Sequence, residues 1–116
     1  MKKIYTLNSE YYFAKKDYYH GALVNKYAEL VTDYEYSSMY PITGTNLFIV
    51  GKDGKDGVID NSGKIVIEIK YKYISSGLAH GLLKFELKNK YGLMDYSGKI
   101  LVEPTYSHMG FSSNEN

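Results

Sequence analysis

The sequence predicts an all-β protein made of antiparallel three-stranded meander repeats, about three units at a period of 35, in an open array or a barrel-like curl. Two observations carry this. The chain repeats itself at a shift of 35 residues, and inside each repeat apolar and polar residues alternate with the period of a strand. The turn chemistry then marks where each strand reverses.

The shift places Gly57 to Ser75 on Gly92 to Gly110, and 8 of the 19 aligned positions are identical: Gly57, Asp60, Ser62, Gly63, Lys64, Ile65, Glu68 and Tyr71 with their counterparts. The same step backwards meets a faded copy, with Leu23-Val24-Asn25, Leu30-Val31-Thr32-Asp33 and Tyr36. Repeats of this length bury their apolar faces against neighbouring copies. The units predicted span about 11–40, 46–75 and 81–111, within one domain covering 1–116.

Within a unit, Leu83, Phe85 and Leu87 alternate with Lys84, Glu86 and Lys88, the pattern of a half-buried strand. Lys88-Asn89-Lys90 is a short turn and Tyr91-Gly92-Leu93-Met94 the returning strand. In Asp95-Tyr96-Ser97-Gly98, Asp accepts from backbone N–H groups two residues on, and Gly supplies the positive φ of a bulged hairpin. Asp60-Asn61-Ser62-Gly63 is its twin. Lys99 to Glu103 forms the third strand, ended by Pro104, which has no N–H for a ladder. A link of about ten residues, such as Tyr73 to Gly81, leads onward. The core is expected to include Ile65, Ile67, Leu83, Phe85, Leu87, Ile100 and Val102.

Residues 22–31 are ambiguous when read alone. Leu23, Val24, Tyr27, Leu30 and Val31 also fit helical spacing, and Ala28 and Glu29 favour a helix. The repeat register decides for strands, because a helix here would leave a neighbouring strand edge unpaired. The first turn, Asn25-Lys26-Tyr27-Ala28, lacks the Gly of its counterparts. Residues 1–10 are expected to form an opening strand or cap, and 112–116 a frayed tail.

Lys90-Tyr91-Gly92-Leu93-Met94-Asp95-Tyr96-Ser97-Gly98-Lys99, followed by an apolar strand, Pro104 and Tyr106, resembles the bacterial WG repeat, also called the KWG repeat. Lys55 to Asp60 with Gly63, Lys64 and Tyr71 is a second match, and Gly77-Leu78-Ala79 is similar to the segment that opens the family's next strand. The chain has no Trp, so Tyr91 and Asp56 stand at the signature aromatic position. The resemblance implies a β-repeat scaffold of the kind generally read as an interaction module, with no common activity and no catalytic residues to carry over.

Composition narrows the function. The formal charge is +1, and all 14 basic residues are Lys, so the bidentate fork that reads phosphate and guanine is missing. Without Cys there are no disulfides and no thiolate metal sites. Polar residues interrupt the N-terminus too early for a signal peptide, and no run approaches the roughly 20 apolar residues of a membrane span, so a cytoplasmic location is expected.

Chemistry-bearing motifs are weak. His20, His80 and His108 lack paired ligand spacing, and no metal or cofactor is expected. Gly51 to Gly57 lacks the Gly-Lys-Ser/Thr ending of a phosphate loop, and Asp53, Asp56 and Asp60 lack the spacing of a calcium loop. Asp60 with Glu68 and Asp95 with Glu103 recur in two units, as turn caps and strand ends would, whereas a glycosidase needs two carboxylates facing one cleft. The chain is therefore not expected to be an enzyme.

What remains is surface. Nine of the 14 Tyr fall in the first 40 residues, an aromatic density suited to an interface. The expected function is a non-catalytic protein-binding module, acting as a small stoichiometric inhibitor, immunity protein or adaptor. Its partner-binding residues are Tyr11, Tyr12, Tyr18, Tyr19, Tyr34, Tyr36 and Tyr40, and homo-oligomerisation through an open edge is the rival within this class. The alternatives are glycan binding and single-stranded nucleic-acid binding, the latter through Lys70, Tyr71, Lys72 and Tyr73, where Tyr rings stack bases and Lys holds phosphates.

Overall fold

The computed structural model describes residues 2–107, and none of them is helical. Among the described residues, eleven strands make three antiparallel sheets, each following chain order. The first holds β1 (Lys3–Thr6), β2 (Tyr11–Lys15) and β3 (Gly21–Asn25). The second holds β4 (Ser38–Pro41), β5 (Leu47–Lys52), β6 (Lys55–Asp60) and β7 (Ile65–Tyr71). The third holds β8 (Tyr73–Ser75), β9 (Leu83–Leu87), β10 (Lys90–Met94) and β11 (Ile100–Tyr106). The chain forms two compact units. The first, up to Lys70, contains the first two sheets, and the second, from Tyr71 onward, contains the third. Residues 22–31 follow the repeat register: they hold the strand β3 and a turn, and no helix.

The meander is one strand larger than the alternation marks. β1, β4 and β8 begin at residues 3, 38 and 73, three positions spaced by the repeat period. Each is only three or four residues long, too short for a period-2 pattern to register. The stretch from Tyr73 to Gly81, expected as a link, thus opens with a strand.

The first sheet keeps a remnant of its own fourth strand. Isolated bridges pair Val24 with Leu30 and Gly21 with Tyr36. Seventy residues on, the same positions are Met94 with Ile100 and Tyr91 with Tyr106, which pair as part of β10 and β11.

The turns repeat atom for atom. Asp60 Oδ1 accepts from Ser62 N at 2.8 Å and Lys64 N at 3.0 Å, and Asp95 Oδ1 accepts from Ser97 N at 2.9 Å and Lys99 N at 3.0 Å. Asn25 Oδ1 does the same for Tyr27 N at 2.9 Å and Glu29 N at 3.0 Å. The fourth residue is left-handed each time: Gly63 at φ 88°, Gly98 at 90° and Ala28 at 66°. Ala28 holds a conformation that its Cβ disfavours, fixed by the hydrogen bonds around Asn25.

The core of the first unit brings the facing sheets together through Phe13, Leu23, Tyr36, Met39, Phe48 and Ile59. Of the expected core residues, Ile67, Leu83 and Phe85 are buried, while Leu87 and Val102 are half-buried. Ile65 and Ile100 are corrections, since both are exposed. Each is the first residue of the last strand in its sheet, beside the turn, where the strand has a neighbour on one side only.

Two predictions follow from the turns. Ala28→Gly relieves the left-handed strain and should raise the unfolding free energy by about 1 kcal/mol in a denaturant titration; no gain would mean the turn carries no strain. Hydrogen bonds from the Ser62 side chain to Asp60, and from the Ser97 side chain to Asp95, hold both carboxyls below the usual Asp range. A depressed folded-state pKa stabilises fully above the unfolded value of about 3.9 and is lost as pH falls through the folded value. Melting temperature should therefore drop below about pH 4. The double variant Asp60→Asn, Asp95→Asn, which copies Asn25, should flatten that drop, and an equally steep fall would contradict the assignment.

Candidate binding cleft

The first sheet departs from its two sister sheets at one hairpin. β5 and β6 are joined by Asp53-Gly54, and β9 and β10 by Lys88-Asn89, with positive φ at every one of these residues. That is the tight turn whose twist matches paired strands. β2 and β3 instead pair only as far as Lys15 with Gly21, leaving a loop of residues 16–20. Lys16 N bonds His20 O at 3.0 Å to close it. Asp17 Oδ1 accepts from Tyr19 N at 2.9 Å and from His20 Nδ1 at 2.7 Å. The His20 hydrogen bond is the main cause that lowers the Asp17 pKa.

This loop turns Tyr18 and Tyr19 outward, 67% and 66% exposed, with ring centroids 5.0 Å apart in an edge-to-face pair. Beside them Tyr34 and Tyr40 complete an open cleft of about 970 Å³, bordered also by Lys15, Glu35 and Lys52. Lys52 Nζ donates to Glu35 Oε1 at 2.9 Å, and that bond raises the lysine's pKa. Lys16 lies over the Tyr34 ring, 5.0 Å from its centroid. Lys15 Nζ donates to Tyr18 O at 2.6 Å and Ser37 O at 2.8 Å, and stands 5.1 Å from the Tyr18 centroid. The cleft thus offers aromatic rings with cations of defined position, chemistry suited to gripping a partner.

Four of the seven Tyr expected at an interface (Tyr18, Tyr19, Tyr34 and Tyr40) meet in this cleft. Tyr36 does not. It is 2% exposed in the core, bonded through its backbone to Gly21, and burial raises its hydroxyl pKa. Tyr11 is half-buried, edge-on to Phe48 at 5.7 Å, and Tyr12 is half-buried opposite Val24. Both sit on the hairpin away from the cleft lining.

The Lys70 to Tyr73 stretch does not form a stacking face. Tyr71 is buried edge-on to Phe85 at 5.1 Å, because it fills the position that Tyr36 fills in the first unit. Lys70 lies 3.9 Å from Glu68 and Lys72 lies 3.7 Å from Glu86. Tyr73 alone among the two tyrosines shows a ring, with Lys84 5.9 Å from its centroid.

Among the described residues no three His, Asp or Glu gather as metal ligands would. His80 lies against the Tyr96 ring at 5.6 Å, and His108 lies outside the described residues. Lys15, Glu35 and Lys52 were not marked by motif. The signal for Lys15 was nonetheless present, since the repeat shift aligns it with two hydrophobic residues, Val50 and Phe85.

Antiparallel meanders recurring at 35 residues define a β-repeat protein. A family model, the WG containing repeat, matches residues 57–91 and 91–116, a little over half of the chain, and the chain belongs to that family. The first sheet lies outside the matched segments. No curated protein and no solved structure matches the chain.

Proposed function

We propose that this chain is a non-catalytic protein-binding module, a small stoichiometric inhibitor, immunity protein or adaptor, and that its partner docks in the tyrosine cleft of the first unit. The supporting observation is that Tyr18, Tyr19, Tyr34 and Tyr40, drawn from a loop, a connection and a strand, surround one open cleft. Exposed Tyr supplies large, stiff contact area at low entropic cost, and interface hot spots are enriched in it. A purely structural role does not account for three rings left more than 60% exposed. Asp60 and Asp95 are engaged as turn caps, which leaves them poorly placed to act on a substrate.

The triple variant Tyr18→Ala, Tyr19→Ala, Tyr40→Ala should weaken capture of a partner from host lysate by about tenfold or more, as hot-spot losses of about 2 kcal/mol imply. Its melting temperature should stay close to the parent's, because exposed substitutions cost within about 0.5 kcal/mol each. Tyr36→Ala is the contrast and should cost about 3–5 kcal/mol of stability. Unfolding of the triple variant, or undiminished capture, would remove the basis of the proposal. Captured protein identical to the bait would assign the cleft to self-association.

A further inference from the structure

We infer that Lys15 anchors this cleft by taking a carboxylate from an acidic segment of the partner, an assignment that rests on the protein-binding reading above. Lys15, Val50 and Phe85 hold one repeat position, and in the other two sheets that residue is completely buried. The strand parity is shared as well. Phe13, Phe48 and Leu83, two residues earlier, are all buried, so position 15 belongs to the inward face of β2. A repeat that needed only to fold would keep an apolar side chain there. The first sheet has a lysine, and the space that an apolar group fills elsewhere adjoins the cleft and two neighbouring hollows of about 350 and 430 Å³, which Lys15 also borders.

The ammonium is held in place. Two of its three N–H groups meet Tyr18 O and Ser37 O, and its stem lies along Gly21, where an added Cβ would stand 3.1 Å from Lys15 Cγ. The third N–H is left for a ligand. Of the other groups at the cleft, Lys52 already has a carboxylate, that of Glu35, and the His20 ring is hydrogen-bonded to Asp17. Lys15 has carbonyls and the Tyr18 ring, but no carboxylate among the described residues. A carboxylate arriving at a pre-positioned ammonium forms a short charge-assisted hydrogen bond with little ordering cost. Tyr18 and Tyr40 would then cover the apolar stem of the incoming Asp or Glu. A nucleic-acid phosphate fits less well, since Lys52 of the cleft is already paired with Glu35 and the chain has no arginine, which gives poor grip on a polyanion.

The test pans a random phage-displayed peptide library on the full chain, on the triple tyrosine variant and on Lys15→Met. Peptides selected by the parent and lost by the tyrosine variant should carry Asp or Glu at one fixed position, and Gln or Asn there should weaken binding by about tenfold. Lys15→Met should erase that difference while holding or raising the melting temperature, because it restores the apolar residue type of the sister sheets. Cleft binders with no fixed acid, or acidic binders unaffected by Lys15→Met, would overturn the Lys15 assignment and leave the protein-binding reading standing. A lower melting temperature in Lys15→Met with binding unchanged would make Lys15 a structural residue. Displacement of the peptides by oligothymidylate at low concentration would assign the site to nucleic acid. If no peptide distinguishes the parent from the tyrosine variant, the protein-binding reading itself fails.

Discussion

Where the third strand of a repeat passes the fourth, two backbones come closer than any side chain permits. A Cβ on Gly57 would lie 2.7 Å from Ile67 O and 2.8 Å from Ile69 Cα, and one on Gly92 would lie 2.5 Å from Val102 O. Neither glycine has a positive φ, so the demand is for room alone. This approach lets β7 and β11 lie on their sheets with bulges in the β10–β11 register. It also gives the repeated glycine of this chain a physical reason: the neighbouring strand occupies the space of a methyl group. The first sheet is the natural control. Its counterpart is Ala22, fully buried, and there the fourth strand has shrunk to two bridges.

The same loosening accounts for the difference between the first sheet and the other two. The second and third sheets keep glycine at the crossing, a tight hairpin turn, and an apolar residue at position 50 or 85. The first has Ala22, a five-residue loop over 16–20, and Lys15. Each departure exposes something: the loop turns out Tyr18 and Tyr19, and the lysine puts a cation where a core side chain stood. The sister sheets show what the fold requires, and the first sheet shows what has been released from that requirement.

Much of the fold was legible in the sequence because the repeat shift compares the chain with itself. The strand assignment of residues 22–31 came from register, against local propensity at Ala28 and Glu29, while turn chemistry marked the caps at Asp60 and Asp95 and alternation marked the burial of Phe85. The opening strands were not legible, since Lys3–Thr6, Ser38–Pro41 and Tyr73–Ser75 are too short to show a period. The tyrosines were legible as a group and not one by one. Tyr18 and Tyr36 are the same residue type in a similarly aromatic stretch, and only the backbone pairing of Tyr36 with Gly21 sends it inward. Exposure of Ile65 and Ile100 escaped notice because alternation reports which way a side chain points and not whether another chain covers it.

The account depends most on the crossing at the repeat glycine, and equilibrium denaturation of Gly57→Ala against the parent measures it most directly. The steric account predicts a loss of about 1–3 kcal/mol, read as a lower denaturant midpoint, from a single methyl group at a position with ordinary φ. An unchanged midpoint would contradict it, because the backbones would then have room that the repeat, as described, does not contain.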